Sequence, residues 1–160
     1  MSPDWQAKLP WDNIIRVATH AGLDPILVGA FVATESGGQQ YATRYEAQWK
    51  YLVEVDSHAK RLGLTVMTET MHQATSWGLC QLMGGTARDL GFRDHIPKLC
   101  EIETGLLWSC IYLSRLQIKY QKLDDVIAAY NAGSPRKDDT GKYQNAQYVD
   151  KVKNFYELLK

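Results

Sequence analysis

No stretch of the 160-residue sequence approaches the roughly 18 consecutive apolar residues that a membrane-spanning helix needs. The N-terminus, Met1-Ser-Pro-Asp-Trp5, lacks a basic segment followed by an apolar one, so no standard secretion signal and no membrane insertion are expected. Excess charge is missing too: 18 Lys and Arg balance 18 Asp and Glu. That balance argues against nucleic acid or an anionic lipid surface as the main partner. Cysteine is scarce and odd in number, at Cys80, Cys100 and Cys110, with no CxxC, which argues against a disulfide framework. Cys100 and Cys110 fall in one helical pattern, about 15 Å apart in an ideal helix and too far to bond. All three read as buried free thiols. There is no HExxH and no Cys-His cluster, so no metal and no cofactor are expected. Gly84-Gly85-Thr86 has neither the lysine nor the preceding strand of a phosphate loop. His20, His58, His72 and His95 lack a nucleophile elbow, so Ser36 is a poor candidate nucleophile and the histidines read as surface or packing residues.

What remains is an ordinary globular composition, 45% hydrophobic and 22% charged, in a length that suits one domain spanning 1–160. The expected fold is all-α. Trp11, Ile14, Ile15 and Ala18 recur at helical spacing up to His20, and Gly22 stops the run. Asp24 reads as an N-cap and Pro25 as the first residue of a second helix ending at Glu35 before Gly37-Gly38. Residues 39–58 carry Tyr41, Tyr45, Trp49, Leu52 and Val53 and are expected to be helical, with an alternative extended start. Residues 62–76 read as a loop with helical turns or a small β-hairpin, with Met67 and Met71 as packing filler. Gly78, Gly84 and Gly85 mark a close-packed turn. A short helix over Thr86–Leu90, a long one over about Lys98–Tyr120, another from Asp125 to a stop at Gly133 and Pro135, and a last one over Gln147–Leu159 complete the reading. Gly105 and Ser109 would allow close helix contact.

Glu35 is the most informative residue. It closes the apolar run Ile26–Thr34. A carboxylate there is costly unless paired or protonated. Burial of this kind can move a glutamate from about 4.3 toward about 6, the tuning a general acid needs to cleave a glycosidic bond. A capped or salt-bridged Glu at a helix end is the plainer reading of this segment alone.

Three further segments follow in order: Gly78-Leu79-Cys80-Gln81-Leu82-Met83, Ala129-Tyr130-Asn131-Ala132-Gly133 and Tyr148-Val149-Asp150-Lys151-Val152. With Glu35-Ser36 they resemble the catalytic domain of the soluble lytic transglycosylases, relatives of goose-type lysozyme, over about residues 11–157. The resemblance implies a lysozyme-like helical fold. It also implies cleavage of the β-1,4 bond between N-acetylmuramic acid and N-acetylglucosamine in peptidoglycan glycan strands. It makes Glu35 the acid and base and puts Ser36 beside it on the substrate. Gly78 to Gln81 match a family segment in which Gln81 would help line the cleft, Tyr130 and Asn131 would lie near the sugars, and Tyr148 would support Glu35. Cys80 stands where the family usually has Met, and Gly84 where it usually has Pro. The segment of about 39–75 is long for the family and is expected to cover or extend the cleft. A compact chain without a signal looks like a phage-encoded member, a lysis enzyme (an endolysin) or a virion-carried module, working with phage lysis or virion proteins on the bacterial cell wall.

Alternatives stay open for several residues. The implied product carries a 1,6-anhydromuramic end and requires one carboxylate. A second carboxylate would make the enzyme a muramidase, and Glu46 or Glu69 are the candidates. Glu46 otherwise reads as a surface charge or a partner of Arg44 or Lys50. Gln81 could be a buried amide satisfied by backbone, Asn131 a helix C-cap, Tyr130 and Tyr148 core aromatics. Trp77 could stack on a sugar or cap the core. A non-catalytic cell-wall-binding or virion protein is the rival from another class, and an intact Glu35 speaks against it.

Overall fold

The computed structural model describes residues 5–160. Helix α1 (Trp11–His20) buries Ile14, Val17 and Ala18. The Asp24 side chain accepts a hydrogen bond from the Ile26 N–H, and Pro25 opens α2 (Pro25–Glu35). Every residue from Leu27 to Thr34 is buried. A helix apolar on all sides belongs inside a bundle, and α2 packs there against α1 and α8 (Ala146–Leu159). Helix α6 (Ile102–Lys119) packs on α1 and on α7 (Leu123–Ala132), and α7 packs on α8, which closes the larger core.

Between α2 and α6 the chain builds a smaller lobe. Strands β1 (Thr43–Tyr45), β2 (Thr75–Trp77) and β3 (Leu82–Met83) form an antiparallel sheet in the order β1-β2-β3. Arg44 lies opposite Ser76, and Ser76 opposite Met83. Helices α3 (Val55–Leu62) and α4 (Val66–Gln73) connect the first two strands, and α5 (Gly84–Asp89) follows the third. A second apolar cluster of Leu82, Ala87, Phe92, Ile96 and Leu99, with Trp77 and Trp108 against it, fills the junction with α6. The fold is thus mainly helical with a small open sheet.

The 39–58 segment departs from the expected helix. It is a turn, strand β1 and an irregular stretch before α3 begins at Val55. Its aromatics follow helical spacing without sharing a buried face: Tyr41 and Tyr45 are 75% and 55% exposed. A side chain replaces the missing secondary structure. The Gln73 amide donates to the Val53 carbonyl at 2.8 Å and accepts from the Val53 N–H at 2.7 Å, as a strand partner would. Within 62–76 most residues form α4, whose N-cap Thr65 accepts from the Thr68 N–H, and the segment ends in β2. Met67 and Met71 face outward, 73% and 48% exposed, and are not core filler. The long helix begins at Ile102; residues Ile96–Cys100, with Pro97, form a 3-10 turn before it. Gly105 serves that turn rather than a helix contact, because a Cβ there would lie 2.3 Å from the Leu99 carbonyl oxygen.

Candidate active site

Glu35 ends α2 at the edge of the core, half-buried, where the apolar run meets the 78–83 turn. The Tyr148 hydroxyl, carried on the first turn of α8, donates to Glu35 Oε1 at 2.5 Å. Burial pushes the Glu35 carboxyl above the ordinary carboxylate value. The Tyr148 hydrogen bond and the charges of Lys151 and Arg44 pull it down without cancelling that rise. Burial, with the Glu35 charge beside it, pushes the Tyr148 hydroxyl well above its ordinary value, so it stays a donor.

Two hydroxyls hold the turn that faces Glu35. Ser36 Oγ donates to the Leu79 carbonyl at 2.7 Å and accepts from the Gly38 N–H at 3.2 Å. Tyr130, buried on α7 and in ring contact with Phe31, donates to the Cys80 carbonyl at 3.0 Å. Gly78 has φ of 72°, and a Cβ on it would lie 2.4 Å from the Leu99 carbonyl oxygen, so only glycine fits. Gln81 has φ of 49°. Its amide donates to the carbonyls of Ala42 (2.8 Å) and Gly78 (3.0 Å), and its oxygen accepts from Ser76 Oγ at 2.8 Å. Gln81 is therefore the satisfied amide that ties the residue before β1, strand β2 and the turn together.

Other candidates are more peripheral. Trp77 is half-buried on the second apolar cluster, its indole N–H on the His72 carbonyl at 2.9 Å, an arrangement that suits the core role. Asn131 is exposed, and its side-chain oxygen accepts from Asn145 Nδ2 at 3.0 Å. The C-cap of α7 is Gly133, not Asn131. Beside Tyr148 a groove of about 640 Å³ opens, lined by Asp138, Lys142, Tyr143, Gln144, Asn145 and Gln147.

Neither proposed second carboxylate is offered freely. Glu69 is fully buried on α4, and both its oxygens are taken by Arg88 of α5, at 2.8 and 3.0 Å. It also accepts from Gln73 at 2.8 Å. Burial pushes Glu69 up, but the hydrogen bonds of Arg88 and Gln73 outweigh it and hold the carboxyl below its ordinary value. A carboxylate locked in this way and without any solvent exposure holds the lobe together and is closed to a catalytic water. Glu46 is ion-paired with Arg44 after β1. Among the described residues, the charges that act on Glu35 are those of Lys151 and Arg44, both cations.

Lys151 and Arg44 were not singled out from the sequence. The signal for Lys151 lay in the last motif: it follows Tyr148 by three residues and so shares its helix face. Arg44 carries no such signal, because nothing local in the sequence ties strand β1 to the end of α2.

The family described as the transglycosylase SLT domain matches residues 12–153. Neither the curated proteins nor the solved structures return a match to the chain.

Proposed function

The chain belongs to the transglycosylase SLT family, whose activity is lytic cleavage of peptidoglycan, and from that premise we propose that Glu35 alone performs the chemistry. The bond cut is the β-1,4 link from N-acetylmuramic acid to N-acetylglucosamine. Glu35, protonated on arrival, gives its proton to the glycosidic oxygen as the C1–O bond breaks. The substrate's own N-acetyl oxygen stabilises C1. The Glu35 carboxylate then takes the proton of the muramic C6 hydroxyl, and O6 bonds to C1. The product is a 1,6-anhydro ring, no water is consumed, and Glu35 ends protonated as it began.

The observation that carries this reading is a lone half-buried carboxyl whose proton affinity is raised by burial and whose oxygen is held by Tyr148. Hydrolysis by the two-carboxylate route needs a partner within roughly 5–10 Å. The candidates for that partner are engaged by Arg88 and Arg44. In this account Tyr148 orients Glu35. Ser36, Gly78, Gln81 and Tyr130 fix the turn that forms the opposite wall, and Trp77 supports it from behind. Asn131 lies toward the groove that leads away from Tyr148. Substitution Glu35→Gln keeps the shape and an acceptor for Tyr148 while removing the transferable proton. Release of soluble fragments from purified peptidoglycan is expected to fall by about 10²- to 10⁴-fold, with sedimentation on cell-wall sacculi retained. Undiminished release by the variant would overturn the assignment.

A further inference from the structure

Resting on that reading of Glu35, we propose that Lys151 is a positioning residue of the site. Its ammonium, fixed at the C-terminal end of α2, is the counter-charge that stabilises the Glu35 carboxylate between the proton it gives and the proton it takes.

The placement is built in. Val149 and Val152 are buried and set the rotation of α8, which turns Tyr148 and Lys151 together toward the end of α2. Tyr148 reaches Glu35 itself. Lys151 Nζ donates to the carbonyl of Thr34, the residue before it, at 3.1 Å in a half-buried contact. That carbonyl is in the last helical turn and is passed over by the backbone: the Gly38 N–H goes to Ser36 Oγ and the Gly37 N–H to the Val32 carbonyl. A helix C-terminus carries partial negative charge, which favours a cation and disfavours a carboxylate. Glu35 therefore sits where burial and the helix end both oppose its ionisation, and Lys151 is anchored at the same end.

The groups that face Glu35 narrow the choice of counter-charge. From α8 come Tyr148 and Lys151, from β1 Arg44, from α7 Tyr130, and from the 78–83 turn Cys80. Burial pushes the Tyr130 hydroxyl and the Cys80 thiol well up, so both are neutral at working pH. Arg44 is 76% exposed along its side chain and already ion-paired with Glu46, so solvent and its partner both weaken its hold on Glu35. Lys151 is an exposed residue too, but its ammonium is held on the Thr34 carbonyl and has no carboxylate partner among the described residues. Its charge is left for Glu35.

The test is the pH dependence of the initial rate of peptidoglycan solubilisation at low substrate, for wild type, Lys151→Met, Lys151→Arg and Glu35→Gln. The rate falls on the basic side as Glu35 loses the proton it must donate. Without the ammonium the carboxylate is less stable and the proton is held more tightly. For Lys151→Met the basic limb is expected to move up by roughly half a unit or more, and the rate at the wild-type optimum to drop about fivefold or more. Lys151→Arg, which keeps the charge, is expected to restore the wild-type limb. A Lys151→Met limb that coincides with wild type overturns the proposal. So does a Lys151→Arg limb displaced as far as that of Lys151→Met, because the effect then comes from shape and not charge. Should Lys151→Met not fold, Lys151→Gln against Lys151→Arg makes the same comparison. Turnover retained by Glu35→Gln removes the premise itself, and it is read from a different variant.

Discussion

At the residue scale two demands meet in Glu35. The core of α2 asks for an apolar residue at its end, and the proposed chemistry asks for a carboxyl that keeps its proton near neutral pH. Burial serves the second at the expense of stability once the group ionises. The linkage has a definite sign. The folded-state pKa lies above the unfolded value, so the folded chain binds more protons in the interval between them. The contribution of Glu35 to stability is present below the unfolded carboxyl value of about 4.3 and is lost as pH rises through the raised folded value. Glu35→Gln is therefore expected to melt at a higher temperature than wild type above that interval, with the difference closing toward pH 4. Calorimetry across pH checks it, and a gap that widens on acidification would contradict the raised value. Glu35, Ser36, Tyr130 and Tyr148 were legible in the sequence because each lies in a short motif whose residue types and order carry the pattern. Which atoms their side chains engage was not legible. The hydroxyls of Ser36 and Tyr130 are spent on the carbonyls of Leu79 and Cys80, 43 and 50 residues away along the chain.

At the scale of elements, the large helices followed from local rules. The Asp24-Pro25 start, the Gly37-Gly38 exit and the Gly133 stop each have a mechanism that acts within a few residues. The lobe between α2 and α6 did not. Its order depends on contacts distant in sequence: Gln73 against Val53, Gln81 against Ala42, and above all the Glu69–Arg88 pair, which joins α4 to α5 with both side chains fully buried. Arg88 also donates to the carbonyls of Phe92 and Asp94, both at 2.8 Å. From the sequence, a glutamate at position 69 is only a candidate second carboxylate, because nothing nearby along the chain reveals its partner Arg88. Removing one member of a buried pair leaves the other charge uncompensated, at a cost of about 3–5 kcal/mol. Glu69→Gln is expected to lower the urea midpoint by a corresponding amount while the products formed from peptidoglycan stay the same. A change of product with unchanged stability would instead assign Glu69 to the chemistry.

For the whole molecule, the helical bundle and the small lobe meet at the end of α2, and everything proposed to act on substrate converges there. One wall is the 78–83 turn, clamped by Ser36, Tyr130 and Gln81; the other is the start of α8, which brings Tyr148 and Lys151. The architecture brings one carboxyl with a raised proton affinity to that meeting point and keeps the other two candidates in ion pairs. The central claim is that this single carboxyl closes an anhydro ring instead of admitting water. Mass spectrometry of the soluble products released from purified peptidoglycan tests it most directly. Fragments ending in 1,6-anhydromuramic acid, lighter than the hydrolysed forms by one water, are the result expected. Fragments with free reducing muramic ends would contradict the claim and bring a second carboxylate, with Glu46 first in line, into the site.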